Sequence, residues 1–147
     1  MLDQTATALF SVELPIPPSS NNMFTNLRRG GRIKSREYKA WRDIAVADIH
    51  ERLCRVRPYV PIDQPCDVAI ELPRPNKNSD VDNRIKAVLD ALQHGGAIAN
   101  DKCVEAVLIR WTPALELKTA RVAVWPALEL TATTFDRMFD SKGRAAA

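Results

Sequence analysis

Apolar and polar residues along this chain alternate between the two-residue period of a strand and the 3.6-residue period of a helix. Leu9 to Leu14 (Leu-Phe-Ser-Val-Glu-Leu) partly alternates, as a half-buried strand does. Pro15, Pro17 and Pro18 stop it, and Ser19-Ser20-Asn21-Asn22 is turn chemistry. Ser35 then opens a long helical segment, with Glu37 and Tyr38 in its first turn. Tyr38, Trp41, Ala45, Asp48, Ile49 and Leu53 follow a rough i, i+3, i+4 pattern, which predicts that Trp41, Ala45, Ile49 and Leu53 pack on a sheet. That helix ends near Arg55, before Pro58 and Pro61. Cys66 to Leu72 reads as a second strand, stopped by Pro73 and Pro75. A second helix is predicted from Val81 to Gln93, with Ile85, Val88, Leu89 and Leu92 on one face and Gly95-Gly96 as its stop. Cys103 to Trp111 and Thr119 to Trp125 are the last two strands. Pro113 and the polar residues around Lys118 predict an antiparallel connection between them.

The order β-α-β-α-β-β predicts an α/β (or α+β) fold, with helices packed on a mixed four-stranded sheet. At 147 residues the chain fits one domain, 1–147, with its core over about 9–126 and a peripheral tail at 127–147. Within the tail, Leu128 to Phe139 reads as a short docking segment and Ser141 to Ala147 as a frayed end. No apolar run approaches the ~20 residues that span a bilayer. Met1 to Leu9 lacks the basic start and long apolar stretch of a secretory signal. A cytoplasmic protein with no membrane partner is expected. Cys54, Cys66 and Cys103 are far apart and unpaired in sequence, so buried structural thiols are expected rather than zinc or disulfides. His50 and His94 stand alone, which leaves a His-based triad poorly supplied.

The net charge of +3 is mild, but its distribution is not. Arg28, Arg29, Arg32, Lys34, Arg36, Lys39, Arg42, Arg52, Arg55 and Arg57 share one interval with only Glu37, Asp43, Asp48 and Glu51 as acids. A local basic excess fits a polyanionic partner; a solvated helix face with ordinary ion pairs fits it equally well. Arg28-Arg29-Gly30-Gly31-Arg32 reads as a flexible basic loop or hairpin tip, able to mould itself to phosphates. Phe24 beside it is read as locally packed, the alternative being an exposed wedge.

The densest chemistry lies in Asn78-Ser79-Asp80-Val81-Asp82-Asn83-Arg84-Ile85-Lys86, with a third acid at Asp101. The plain reading makes Asp80 a helix cap, Asp82 a partner of the helix dipole, and Asp82–Lys86 an i, i+4 surface pair. Asn83 reads either as a phosphate-orienting group or as a second cap. Glu71 and Asp90 read as a strand-face group and a solvated helix residue. In the chemical reading Asp101 completes a set. Asp82 to Gln93 climbs about 17 Å along a helix, and the loop to Asp101 spans up to ~26 Å when extended, so Asp101 can return to the helix mouth. Three carboxylates gathered there need a cation, and oxygen-only donors suit Mg²⁺ or Mn²⁺. Such a site polarises a phosphate and activates water without histidine, while Lys86 stabilises transition-state charge.

Four pieces in order resemble the RusA family of Holliday junction resolvases, small endodeoxyribonucleases often carried by phages and prophages. They are Leu14-Pro15-Ile16-Pro17-Pro18-Ser19-Ser20-Asn21-Asn22, Tyr38-Lys39-Ala40-Trp41-Arg42, Asp80-Val81-Asp82-Asn83 with Lys86, and Asn100-Asp101-Lys102-Cys103-Val104. The resemblance covers roughly Leu9 to Trp125. It implies a homodimer that binds four-way or other branched DNA and cuts symmetrically with Mg²⁺, in a nucleoid-associated setting. It makes Asp80, Asp82 and Asp101 the metal-binding catalytic acids and Lys86 the supporting cation. DNA contacts are expected from Arg28, Arg29, Arg32, Lys34 and Arg36. The family's dense arginine run before the first acid is reduced here to Arg74 and Lys77, which join that expectation. The reading from a different class is a non-catalytic DNA-binding recombination accessory protein, in which the acids are only caps. A P-loop nucleotide enzyme is disfavoured because the Gly-x-x-x-x-Gly-Lys phosphate loop is missing.

Overall fold

Phe10, Val12 and Leu14 point inward from strand β1 (Phe10–Leu14) while Ser11 and Glu13 face solvent, so the alternation read from the sequence becomes a strand with one buried side. The computed structural model describes residues 7–56, 58–112 and 118–127. A short antiparallel hairpin follows, β2 (Phe24–Asn26) with β3 (Arg32–Lys34). It turns through Gly30 and Gly31, whose φ values of 88° and 89° suit residues without a Cβ. The basic loop is therefore a hairpin tip. Helix α1 (Arg36–Cys54) is capped by Ser35, whose Oγ accepts from the Tyr38 N–H at 3.1 Å.

The remaining elements are β4 (Cys66–Leu72), α2 (Ile85–His94), β5 (Val104–Trp111) and β6 (Ala120–Pro126). The mixed four-stranded sheet has the order β1-β6-β4-β5. β4 pairs in parallel with β5 and antiparallel with β6, and β6 pairs antiparallel with β1. β5 and β6 run in opposite directions, as the sequence predicts, but they are not neighbours. β4, with its long run of buried residues, takes the place between them.

One core lies between the helices and one sheet face. Tyr38, Trp41, Ala45 and Ile49 of α1 and Ala87, Val88, Ala91 and Leu92 of α2 meet Val12, Leu14, Val68, Ile70, Leu72, Val122 and Val124. Leu53 packs half-buried against this core. The helices come closest at Gly95, just past α2, where a Cβ would sit 2.7 Å from Ile49 Cγ2. The other sheet face is open, and Ala69, Glu71, Leu108, Arg110, Arg121 and Trp125 line a broad depression there.

α2 starts later than the sequence predicts. Asp82–Arg84 forms a 3-10 turn leading into it, because Asn83 and Arg84 are engaged by the proline-rich segment described below. Of the three thiols only Cys66 is fully buried, and burial pushes it up to about 11. Cys103 is half-buried, and Cys54 is exposed, contrary to expectation, because it falls on the outer side of the last turn of α1. Phe24 packs against the core with the Arg32 guanidinium 4.7 Å from its ring centre. Among the described residues, no helix is long and apolar enough to cross a membrane. Arg57, Pro113, the docking stretch Leu128 to Phe139 and the end from Ser141 lie outside the described residues.

Candidate active site

The loop between β4 and α2 carries the first two acids, and it is braced from within. Arg74 Nη2 donates to the carbonyls of Lys77 at 2.8 Å and Ser79 at 3.4 Å, and its guanidinium lies 5.8 Å from the Trp111 ring centre. Asn76 Oδ1 accepts from the Asn78 N–H at 2.9 Å. Arg74 thus holds this loop in place, a task additional to the DNA contact expected of it.

The proline-rich opening is fastened to the same loop. Ser20 Oγ donates to Asn83 Oδ1 at 3.0 Å, which turns the Asn83 amide so that Nδ2 reaches Asp80 Oδ2 at 3.4 Å. Arg84 Nη1 donates to the Pro17 carbonyl at 2.5 Å, and burial lowers the Arg84 pKa from its ordinary value. Trp41 Nε1 donates to the Pro15 carbonyl at 3.0 Å, so α1 holds the segment from its other side. The expected backbone cap by Asp80 is not formed; neither the 3-10 turn nor α2 has a side-chain cap bond at its start. Asp80 instead receives the side chain of Asn83, which does not cap a helix.

The expected Asp82–Lys86 pair is not formed either. Lys86 Nζ bonds Asp90 Oδ1 at 2.9 Å, one turn further along α2. Asp90 is not a solvated helix residue: its side chain is only 16% exposed, and its other oxygen accepts from Tyr38 Oη at 3.2 Å. Tyr38 is fully buried, and burial together with the Asp90 carboxylate pushes it up to about 12. Asp82 is exposed and, among the described residues, makes no side-chain hydrogen bond or ion pair.

Asp101 lies toward the other end of α2. Its backbone N–H donates to Gln93 Oε1 at 3.0 Å, in the last turn, and Asn100 Oδ1 caps the 3-10 turn Asp101–Cys103 through the Lys102 N–H at 2.9 Å. The loop is long enough to reach the helix mouth, but Gln93 ties it near the far end. Along the helix, Gln93 is about 17 Å from Asp82. Among the described residues, no three Asp, Glu, His or Cys side chains are grouped to hold one ion. The structure therefore places Asp80 just before the 3-10 turn that Asp82 opens, puts Lys86 in the first turn of α2, and ties Asp101 near the far end of that helix. Two exposed carboxylates with oxygen donors only still fit Mg²⁺, which keeps several waters and commonly takes one or two protein carboxylates.

A family model described as Endodeoxyribonuclease RusA matches residues 15–125. The chain belongs to the RusA endodeoxyribonuclease family. No curated protein matches the sequence. The family match runs from the proline-rich opening to the end of β6, so it contains every contact that fastens the acidic loop of this RusA-family chain.

The basic residues are gathered in the chain's N-terminal half. Arg28 and Arg29 are exposed in the hairpin turn, Arg32 and Lys34 lie on β3, and Arg36 opens α1. Lys34 Nζ is 5.3 Å from the Tyr38 ring centre, which links the hairpin to the Tyr38–Asp90–Lys86 chain of contacts. Sequence reasoning weighed Asn83 and missed Ser20, Arg84, Tyr38 and Asp90 as site residues. The i, i+4 spacing of Lys86 and Asp90 was a usable signal; the pairing of Asp90 with Tyr38, 52 positions away, was not.

Proposed function

We propose that this chain is a Mg²⁺-dependent, structure-selective endodeoxyribonuclease that resolves four-way DNA junctions by paired symmetric nicks. The observation that carries the reading is the family match across 15–125, in a chain where the Asp82 carboxylate stands open while Lys86 is paired elsewhere. Asp80 and Asp82 would hold the cation, with Mn²⁺ able to replace Mg²⁺. When bound, the ion supplies a polarised phosphate and an activated water. Asn83, fixed by Ser20, orients the Asp80 carboxylate. Lys86 donates to the phosphate as negative charge develops on it. Arg28, Arg29, Arg32, Lys34 and Arg36 neutralise DNA phosphates, with Arg74 and Lys77 at the edge of the acidic loop. Binding is therefore steeply salt-dependent, and junction shape rather than base identity carries the selectivity.

The working unit we propose is a homodimer, whose two-fold symmetry offers two equivalent sites to two equivalent strands. Asp101 then completes the site of the other subunit. The support for this is its distance, along α2, from Asp80 and Asp82 of its own chain. The lack of a three-acid group among the described residues of one chain also favours a second reading, the non-catalytic DNA-binding accessory protein. Cleavage of a labelled mobile four-way junction with Mg²⁺, beside linear duplex and the Asp82→Asn variant, separates them. Paired nicks on the junction alone, lost in the variant, are expected. Metal-independent binding without cutting, unchanged in the variant, would return the acids to a structural role.

A further inference from the structure

We propose that Asp90 is a positioning residue that holds the Lys86 ammonium away from Asp82 and so keeps the Asp82 carboxylate open to a divalent cation. The inference rests on the reading of Asp82 as a cation ligand.

Lys86 stands one helical turn from an acid in either direction, Asp82 before it and Asp90 after it. Intrinsic helix preference favours the acid on the N-terminal side of the base, which is the Asp82–Lys86 arrangement. The structure has the other pair, at 2.9 Å. Two features reverse the preference. Residues Asp82–Arg84 form a 3-10 turn rather than α-helix, so Asp82 does not sit at the ideal α-helical offset from Lys86. Asp90, with a side chain 16% exposed, is fixed by the buried Tyr38 hydroxyl and presents a preoriented oxygen to the ammonium. Asp82 is exposed and, among the described residues, has no such partner to orient its carboxylate. If Lys86 lost Asp90, the acid left to it at i, i+4 spacing would be Asp82. An ammonium on Asp82 competes with a cation for the same oxygens. Asp90 therefore serves the site twice: it leaves Asp82 unpaired, and it parks a cation within one side-chain swing of the phosphate.

The test is Mn²⁺ binding by the full-length protein without DNA, followed by the electron paramagnetic resonance signal of the unbound ion. Asp90→Asn should weaken Mn²⁺ binding roughly two- to fivefold, the competition that one adjacent solvent-facing ion pair exerts. Lys86→Gln added to Asp90→Asn should restore wild-type binding. Lys34→Gln added to Asp90→Asn matches the net charge equally and should not restore it, which separates pairing at Asp82 from general charge. Tyr38→Phe, which loosens Asp90 without removing its charge, should weaken binding in the same direction by less, and it carries the test if Asp90→Asn does not fold. Wild-type Mn²⁺ affinity in Asp90→Asn, or a deficit that persists with Lys86→Gln, would overturn the proposal. Asp82→Asn binding Mn²⁺ as well as wild type would overturn the reading of Asp82 itself, and the positioning role with it.

Discussion

Two acidic places on this molecule sit beside bases and are built in opposite ways. On the open sheet face, Glu71 gives one carboxylate oxygen to Arg110, at 2.8 Å from its Nε, and the other to Arg121 Nη2 at 2.7 Å. These residues are on three adjacent strands, β5, β4 and β6, so the trio links the sheet across its width. At the entry to α2, among the described residues, Asp80 receives only a long bond from Asn83, Asp82 receives none, and Lys86 is tied to Asp90. A carboxylate held by a guanidinium on each oxygen favours the folded chain and is less accessible to a further ligand. A carboxylate left exposed at a helix entry adds little to stability beyond its contact with the helix dipole, and its oxygens are open. The same residue types thus tie the sheet together in one place and stand open in the other.

The sharpest way to break this comparison is to neutralise one acid from each place. Asp82→Asn should lower junction cleavage on the order of 100-fold or more, beyond what changes around a metal ligand usually produce. Junction binding should be kept or strengthened, since a negative charge near phosphate is removed, and thermal stability should be unchanged. Glu71→Gln should do the reverse, leaving cleavage alone while lowering stability. Cleavage and melting curves on the two variants decide it; a cleavage loss in both would put the open sheet face into the active assembly.

The next test sharpens where Asp101 belongs. Each of Asp82→Asn and Asp101→Asn should be inactive alone. If Asp101 serves the partner's site, a mixed dimer of the two has one site with both acids intact and one with neither. Co-folding the two inactive proteins should therefore restore single-strand nicks at up to half the wild-type site number. If both acids served the same chain, every site in the mixed dimer would lack one of them, and no nicking would return.

Much of this was legible in the sequence, for physical reasons that also explain what was not. Strong periodic patterns gave both helices and the strands Phe10–Leu14, Cys66–Leu72, Val104–Trp111 and Ala120–Pro126 to within a residue or two, apart from the start of α2. Strand directions followed from loop content, but neighbour order did not, because pairing β4 between β5 and β6 depends on burial across the whole sheet. The acids and Lys86 were visible as a spaced motif. The partners of that motif were not. Ser20 to Asn83, Pro17 to Arg84 and Tyr38 to Asp90 are tertiary contacts, and nothing local in either member marks them. Lys86 shows the limit most clearly: the i, i+4 rule offers it two acids and ranks them in the order the fold reverses.

A smaller effect is expected from the hairpin. Replacing the exposed Arg28, Arg29 and Arg32 with glutamine should weaken binding to junction and duplex alike, if they meet phosphates as proposed. The slope of log affinity against log salt should fall by roughly 2 to 3, about 0.9 for each phosphate no longer neutralised. The acidic turn is untouched, so single-turnover cleavage at saturating protein should hold. Loss of junction preference, rather than of overall affinity, would instead assign shape recognition to the hairpin.

The smallest effect belongs to the matched acid. The hydrogen bond from Arg110 to Glu71, aided by Arg121, holds this carboxyl below its ordinary value. A folded-state pKa below the unfolded value means that the unfolded chain takes up the proton first as pH falls. The contribution of Glu71 is thus complete above the unfolded value of about 4.3 and is lost as pH drops through the folded one. Wild-type melting temperature should fall more steeply than that of Glu71→Gln in this acid range, and the two should differ most near neutral pH. Since the arginines are largely exposed and salt-screened, the gap should be at most about 3 °C and should shrink in high salt. Parallel pH profiles for the two proteins would mean that the trio is a surface arrangement without energetic weight. The contrast with Asp82 would then rest on chemistry alone.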